Sequence, residues 1–198
     1  MSVAIAPIVE GQAEVESVPI LLRRIIHDQL EAFHVQVARP FRVKRNRIVR
    51  EGELERAIKL TIKDRGNVGC ILVLLDSDDD CPAKLGPSLL ERCRQATHLP
   101  IAVILANREF EGWFLGAKES LRGFRGIRED VTAPLDPESI RGAKGQLAQN
   151  MRGGGRYLTV DDQPTFAARM DLELARRRCP SFDKLFRDVE NLISEIPD

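Results

Sequence analysis

The central stretch of the chain reads Ile71-Leu72-Val73-Leu74-Leu75-Asp76-Ser77-Asp78-Asp79-Asp80. Its apolar residues run directly into acidic ones, and an uninterrupted apolar run of this length is typical of a strand covered on both faces in a parallel sheet. Sites in open parallel sheets form at the carboxyl ends of the strands. Asp76 and Asp78 lie at such an end, and side chains two residues apart in an extended segment point the same way.

Two carboxylates aimed at one point repel each other unless a cation lies between them. Hard divalent cations prefer oxygen ligands, so Asp76 and Asp78 predict a Mg²⁺ or Mn²⁺ site at the end of a central strand. The alternative for this pair alone is a turn that carries two solvated acids. Asp79 and Asp80 lie past the predicted strand end, and we interpret them as peripheral acids.

The composition is that of an ordinary globular protein. The chain has 198 residues, enough for one domain with a core and an elaboration. Its formal net charge is zero, so the whole molecule does not attract nucleic acid, and a polyanion would have to be held by local basic patches.

The cysteines indicate a reducing compartment rather than a disulfide framework or a zinc site. They are Cys70, Cys81, Cys93 and Cys179, without a Cys-x-x-Cys pair and with only three scattered histidines in the chain. No apolar run approaches the ~20 residues of a membrane span, and the segment before Glu10 ends before a signal-peptide pattern develops. We therefore expect a cytoplasmic protein with no membrane partner.

Apolar segments alternate with helical patterns, which predicts a parallel α/β sheet of about four strands. The predicted strands cover residues 3–9, 35–38, 70–75 and 100–106. The predicted helices between them begin between residues 13 and 17, with Pro19 in the first turn, and then cover 52–64 and 82–97. Each connection thus returns the chain to the edge of the sheet where the strands begin, so all the strands end at the opposite, carboxyl edge.

The pattern changes from about residue 116, where glycines, prolines and arginines predict loops and shorter helices. We expect helices over residues 136–150 and 161–178, and a last helix that Ser181 caps and that ends at 193. The Gly153-Gly154-Gly155 run lacks the spacing of a phosphate-binding loop and predicts a flexible turn. The predicted organisation is an α/β core over residues 1–118 and a helical C-terminal extension over 119–198, packed together as one compact unit.

Paired acids follow three of the predicted strands. They are Glu10 and Glu14, Asp76 and Asp78, and Glu109 and Glu111. Because such convergence is costly without a cation, the three pairs together predict one metal site. The alternatives are a solvated strand end for Glu10 and, for Glu109 and Glu111, acids favoured by the dipole at the start of a helix.

Basic residues without intervening acids follow the second predicted strand. They are Arg39, Arg42, Lys44, Arg45, Arg47 and Arg50. This patch is interpreted as a surface that contacts nucleic-acid phosphates, and the alternative is a solvated loop or edge strand in which charge prevents aggregation. Arg122, Arg125 and Arg128 form a second candidate surface for a DNA or RNA backbone.

The order Glu10-Gly11, then Asp76-Ser77-Asp78, resembles the Toprim domain, a catalytic module of topoisomerases, primases and related nucleases. A closer resemblance, to the bacterial DUF4276 family, takes in nearly the whole chain. It rests on Val9-Glu10-Gly11-Gln12-Ala13-Glu14, Leu75-Asp76-Ser77-Asp78, Ala106-Asn107-Arg108-Glu109-Phe110-Glu111-Gly112-Trp113, the segment around Lys144, Tyr157 before Asp162-Gln163, and Cys179-Pro180-Ser181-Phe182. The family is regarded as Toprim-like, so the resemblance implies a Toprim-like central sheet flanked by helices.

The Toprim domains of OLD-family nucleases are similar in their opening acids, and that similarity implies roles for residues of this chain. Glu10, Glu14, Asp76 and Asp78 would hold one metal ion, Glu109 and Glu111 would help to hold a second, and Lys144 would stabilise charge in the transition state. The implied reaction is phosphodiester hydrolysis with one or two Mg²⁺ or Mn²⁺ ions. Glu10, Asp76, Asp78 and Lys144 are the catalytic candidates.

Three functional hypotheses remain open at the level of sequence. The first is a nuclease of a bacterial defence or toxin-like system, for which the resemblance implies a partner ATPase encoded nearby. The second is a non-catalytic Toprim-like module that binds a nucleotide or a partner, and the third is a bridging protein with solvated acids. Topoisomerase activity is rejected because Tyr157 is the single tyrosine and no breakage domain accompanies it.

Overall fold

The computed structural model describes residues 3–196, and in this part of the chain a parallel sheet lies between two layers of helices. The strands are β1 Val3–Val9, β2 Val35–Val37, β3 Phe41–Arg42, β4 Val68–Asp76 and β5 Ile101–Ala106. Their order is β2-β1-β4-β5, every pair is parallel, and β3 continues along the edge of β1 beyond β2. The predicted α/β class, with a mostly parallel sheet and C-terminal helices, is confirmed.

Helices connect the strands up to β5, except that β3 follows β2 directly, and after β5 the helices follow one another. They are α1 Glu14–Arg23, α2 Arg45–Ile48, α3 Glu53–Arg65, α4 Pro82–Ala96, α5 Gly112–Gly116, α6 Ala143–Gln149, α7 Thr159–Arg169, α8 Leu172–Arg178 and α9 Pro180–Ser194. A π-helical segment, Arg24–Gln29, prolongs α1, and short 3-10 turns cover Lys118–Leu121, Pro137–Ser139 and Arg152–Gly154. Among the described residues, no helix is both long enough and apolar enough to cross a bilayer.

The central strand β4 is buried on both faces, as its apolar run predicts. Leu72 and Leu74 belong to the core that includes α1 and α9, whereas Val73 and Leu75 belong to the core that includes α3 and α4. Residues after 118, such as Phe166, complete the first of these cores. The predicted boundary at 118/119 stays a prediction, and its outer limits, residues 1 and 198, lie outside the described part of the chain.

Two predicted C-terminal helices are each interrupted. Of the helix predicted over 136–150, only Ala143–Gln149 is α-helical, because Gly142 has φ +68°, a left-handed conformation that separates the Pro137–Ser139 turn from α6. The helix predicted over 161–178 breaks after Arg169, since the Asp171 side chain accepts hydrogen bonds from the backbone N–H groups of Glu173 and Leu174 and so caps α8.

Two local predictions about helix starts also differ from the structure. Ser181 does not cap the last helix, because α9 already begins at Pro180 and the Ser181 hydroxyl bonds Glu138. Pro19 lies inside α1 rather than in its first turn, so the second turn of α1 lacks the hydrogen bond that a Pro19 N–H would donate.

The four cysteines are all free, and all lie among the described residues. Cys70, Cys93 and Cys179 are buried, whereas Cys81 is exposed just before α4. Burial raises the pKa of the Cys70 and Cys93 thiols to about 12 and also raises the pKa of Cys179. Since only thiolates react readily, the three buried thiols are chemically quiet.

Candidate metal centre

Three carboxylates converge at the carboxyl edge of the sheet. Glu10 follows β1, Glu14 opens α1 and Asp76 ends β4, and one oxygen of each lies within 4.8 Å of the others. The register explains this convergence, because β1 pairs with β4 so that Val9 lies beside Leu74. The carboxyl ends of the two strands therefore bring their acids to one place.

The turn between β1 and α1 fixes the direction of Glu14. Its Oε2 accepts hydrogen bonds from the backbone N–H groups of Glu10 and Gly11, each at 3.1 Å. A Cβ atom at position 11 would lie 2.7 Å from Glu14 Oε1, so a larger residue there would displace the Glu14 carboxylate from this position. Glu14 is consequently held in place by backbone groups, and its Oε1 remains available.

Asp76 connects the cluster to the loop that follows β5. Its Oδ1 accepts a hydrogen bond of 2.7 Å from the backbone N–H of Phe110, and only 9% of the residue is exposed. Burial, followed by the nearby charges of Glu14, Glu10 and Glu111, raises the pKa of Asp76 well above its usual value. Without a cation, this carboxylate is therefore in an environment that disfavours its charge.

The surroundings of Glu10 also disfavour its negative charge, although less strongly. Burial first, and the Glu14 charge second, raise its pKa from 4.5 to about 7, although Arg45 lowers it. Within residues 3–196, its buried Oε2 has no hydrogen-bond partner. An unpaired buried carboxylate oxygen is costly, and a bound cation would relieve that cost.

Glu111 lies beside the cluster and is completely buried. Its Oε1 accepts hydrogen bonds of 3.2 Å from the Tyr157 hydroxyl and from Gln163 Nε2. The amide of Gln163 is itself oriented, because the Ser17 hydroxyl donates to its Oε1 at 2.8 Å. Among the described residues, Glu111 Oε2 has no hydrogen-bond partner, and the Lys144 ammonium lies 3.8 Å from it.

Lys144 places a positive charge at the rim of the carboxylates. Burial would lower the pKa of its ammonium, but the charges of Glu111, Asp76, Glu109 and Glu14 outweigh burial and raise it. Lys144 therefore stays charged, and its side chain is about half exposed. Through Lys144, α6 contributes a positive charge next to Glu111.

Asp78 and Glu109 are placed differently from their predicted partners. Asp78 has φ +49°, so the chain is no longer extended there, and its exposed carboxylate pairs with Arg45 at 3.0 Å. Glu109 Oε1 accepts hydrogen bonds from the backbone N–H groups of Gly142 and Ala143, at 2.7 and 3.3 Å. Both acids lie next to the three-carboxylate cluster rather than within it, although Asp78 still raises the pKa of Glu10.

Five members of the first predicted basic patch are exposed, and only Arg45 is half-buried. Arg45 donates to the backbone carbonyls of Asp76 and Ser77, so it fastens the end of β4 to α2. Arg42 donates to the Glu10 carbonyl at 3.3 Å, and Arg47 pairs with an acid of α3 at 2.6 Å. The side chains of Arg39, Lys44 and Arg50 belong to exposed residues.

The second predicted basic surface makes mainly intramolecular contacts. Arg122 donates to the Val131 carbonyl at 2.9 Å, Arg125 pairs with Asp162 at 2.8 Å, and Arg128 pairs with Asp130 at 3.2 Å. These arginines support the loops after α5. A role for them in binding nucleic acid stays a prediction.

Ser17 and Gln163 were not identified from the sequence as part of the site. They are 146 residues apart, and their hydrogen bond joins α1 to α7. The available signal was a polar residue on an otherwise apolar helix face, since Ser17 lies between buried Val15 and Val18 and Gln163 precedes buried Phe166. Such residues are expected to be hydrogen-bonded, but the sequence does not show to what.

One comparison with known proteins gives a match. A family model described as "Domain of unknown function (DUF4276)" matches residues 9–190. The search of curated proteins and the search of solved structures each gave none. The matched range contains every carboxylate of the site described above.

Proposed function

Since the chain belongs to the DUF4276 family, whose description assigns no activity, we propose from the site itself that it is a divalent-metal-dependent phosphodiester hydrolase, a nuclease. The observation that carries this proposal is the convergence of Glu10, Glu14 and Asp76 within 4.8 Å at the edge of a parallel sheet. A Toprim-like relationship, which the sequence resemblance implies, belongs to the same proposal.

The residues present fit Mg²⁺ or Mn²⁺. All the donors are carboxylate oxygens, which suit hard cations. The backbone N–H groups occupy Oε2 of Glu14 and Oδ1 of Asp76, so each side chain keeps its other oxygen for a cation. The buried Oε2 atoms of Glu10 and Glu111 have no hydrogen-bond partner within the described chain.

In the proposed reaction, water attacks the phosphorus and one P–O bond of a nucleic-acid backbone breaks, which leaves a phosphomonoester and a hydroxyl. A divalent cation, when bound, would supply Lewis acidity and lower the pKa of its water. The chain supplies the rest. Glu10, Glu14 and Asp76 would hold the cation, and Glu111 would help to bind a second ion. The charged Lys144 would stabilise negative charge on the phosphate oxygens.

A basic groove supports DNA or RNA as the substrate. It has a volume of about 520 Å³ and is lined by the cations Arg42, Lys44, Arg47 and Arg56, together with one acid, Glu53, which pairs with Arg47. One of its lining residues, Arg42, also contacts a residue of the cluster, because its side chain donates to the Glu10 carbonyl. The net charge is zero, so a local surface of this kind would have to supply the attraction to a polyanion.

The biological setting is also a proposal. A bacterial defence or toxin-like role, a cytoplasmic location and a partner ATPase encoded nearby rest on the sequence and its resemblance alone. A second candidate function is a non-catalytic module that binds a nucleotide or a partner. It is favoured by the Lys144–Glu111 contact of 3.8 Å, which balances part of the buried charge without a metal.

The first test is a cleavage assay. Purified protein is incubated with plasmid DNA and with single-stranded RNA, in Mg²⁺, Mn²⁺ or EDTA. We expect metal-dependent cleavage, and a loss of about a hundredfold or more in Asp76→Asn, since even residues that only orient metal ligands cost 10–100-fold. Glu190→Gln, an exposed acid of α9, serves as the matched control.

Calorimetry with Mn²⁺ separates the two candidate functions. Binding that Asp76→Asn abolishes, without cleavage of either substrate, would favour the non-catalytic module. If the wild-type protein neither binds Mn²⁺ nor cleaves, the carboxylates do not form a metal centre and the nuclease proposal is wrong.

A further inference from the structure

Two arginines from separate loops converge on a single exposed acid near the carboxylate cluster. Arg108 follows β5, Arg141 precedes α6, and Asp79 lies beyond the end of β4. Asp79 Oδ1 is 2.6 Å from an Arg141 nitrogen and 3.5 Å from an Arg108 nitrogen. Within the described range, neither guanidinium has another ion-pair partner.

Arg108 stands on a backbone that is held in an unusual conformation. Arg108 and Asp78 both have positive φ, +62° and +49°, which costs free energy for residues with a side chain. The two loops stabilise each other, since the Asp78 N–H donates to the Arg108 carbonyl at 3.0 Å and the Arg108 N–H donates to the Ser77 hydroxyl at 2.8 Å. Strain that the surroundings enforce in this way is characteristic of functional sites.

The arginines line a small cavity that adjoins the carboxylates. Its volume is about 190 Å³, and its walls are Asp78, Asp79, Arg108, Glu109, Arg141 and Gly142. Glu109 belongs to both places, because its charge acts on Lys144 and on Glu111. A group in this cavity would therefore lie beside Glu109, which is near Lys144 and Glu111.

We propose that Arg108 and Arg141 form a subsite for a backbone phosphate of the nucleic acid, and that Asp79 occupies this subsite until a substrate replaces it. A guanidinium group can donate two parallel hydrogen bonds to the oxygens of a phosphate, and it binds the oxygens of a carboxylate in the same way. The Arg141–Asp79 pair is exposed and the Arg108–Asp79 pair is long, at 3.5 Å, so both are weak and a phosphate can replace the carboxylate. This inference rests on the proposed function and assigns a phosphate neighbouring the scissile one to the cavity.

Substitutions of the two arginines and of Asp79 should change the affinity for nucleic acid in opposite directions. Arg108→Gln and Arg141→Gln remove attraction to phosphate, so each should weaken binding about three- to tenfold and reduce the salt dependence by about one ion. Asp79→Asn removes the competing carboxylate, so it should tighten binding about threefold. Arg187→Gln on α9, an exposed arginine that is also paired with an acid, is the matched control.

Binding is measured by fluorescence anisotropy with labelled single-stranded DNA and RNA oligonucleotides in EDTA, which prevents metal-dependent cleavage. Thermal unfolding of each variant confirms that the fold is retained. If Asp79→Asn binds no more tightly than wild type and both arginine variants bind like the control, the subsite does not exist. Absence of binding by the wild-type protein also overturns it.

Two further measurements are made. One compares inorganic phosphate with oligonucleotides, and the other separates the subsite from the nuclease activity. Inorganic phosphate that binds with the same arginine dependence, while oligonucleotides do not bind, would overturn the assignment to a nucleic-acid backbone. Arginine-dependent binding without cleavage in Mg²⁺ or Mn²⁺ supports the subsite and contradicts the nuclease. Cleavage by wild type that neither arginine variant reduces, with unchanged binding, supports the nuclease and contradicts the subsite.

Discussion

Glu10 and Asp76 carry carboxylates where the metal-free fold disfavours negative charge. Burial and neighbouring acids raise both pKa values, that of Glu10 to about 7. A carboxyl with a raised pKa keeps its proton in the native state at a pH where the unfolded chain has lost it. The stability that it contributes is therefore present below pH 4.5 and is lost as the pH rises to about 7.

This linkage predicts the behaviour of Glu10→Gln in EDTA. The neutral amide neither titrates nor repels Glu14, so the variant should lose less thermal stability than wild type between pH 4.5 and pH 7. Saturating Mg²⁺ should raise the unfolding temperature of wild type near neutral pH more than that of the variant. The check is thermal unfolding across this pH range, with Glu190→Gln as the control, and identical pH profiles for Glu10→Gln and wild type would contradict it.

The positions of some site residues could be predicted from the sequence, and that of Asp78 could not. Apolar runs followed by acids were enough to place Glu10, Glu14 and Asp76 at one edge, because strand ends in a parallel sheet share that edge. The position of Asp78 depended on its positive φ and on Arg45, which is 33 residues away by sequence number and joins it through an ion pair of 3.0 Å. No local pattern contains that information.

Among the elements, α6 matters most for the site because it carries Lys144. Glu109 fastens the start of this helix through the N–H groups of Gly142 and Ala143. The sequence resemblance implied that Glu109 helps to hold a metal ion, whereas its hydrogen bonds indicate a role in holding α6. The two roles require different chemistry, since an amide oxygen still accepts hydrogen bonds but is a poorer ligand than a carboxylate.

Two substitutions of Glu109 separate these roles. Glu109→Gln keeps an acceptor for the N–H groups, so Mn²⁺ affinity and cleavage should remain within about threefold of wild type. Glu109→Ala releases the start of α6 and with it Lys144, so cleavage should fall about tenfold while Mn²⁺ affinity changes little. Calorimetry and the cleavage assay are measured together, and a large loss of Mn²⁺ affinity in Glu109→Gln would restore the ligand role.

The elements themselves were predictable to the extent that hydrophobic periodicity defines them. The strands β1, β2 and β4 and the helices α1, α3 and α4 follow from apolar runs and stripes, whereas the short elements β3 and α2 within the basic patch were not predicted. The breaks at Gly142 and before Asp171 did not follow, because each depends on a backbone conformation that the apolar stripe continues across. At the second break, Met170 has an extended conformation with ψ 144° and the Asp171 carboxylate caps α8.

For the whole molecule, the question is whether the C-terminal helices fold together with the α/β core. Phe166 of α7 packs edge-on against Phe114 of α5, with ring centroids 5.6 Å apart, and also contacts Tyr157. The shared core predicts one cooperative transition. Phe166→Ala should lower the free energy of unfolding by about 3–5 kcal/mol and leave the transition single.

The buried indole of Trp113, the single tryptophan of the chain, reports on this transition by fluorescence. Far-UV circular dichroism follows the helices over the same denaturant range. Two separate transitions, with Phe166→Ala shifting only one of them, would show that the residues after 118 fold independently of the core.

The distribution of the cysteines has a practical consequence for this chain. Cys70, Cys93 and Cys179 are buried, so a thiol-reactive dye will attach at Cys81 while the protein remains folded. Cys81 lies two residues beyond Asp79, which lines the same cavity as Arg108 and Arg141. The unmodified sequence thus provides a single labelling position two residues from Asp79, and a fluorophore placed there is expected to report occupancy by ligands in real time.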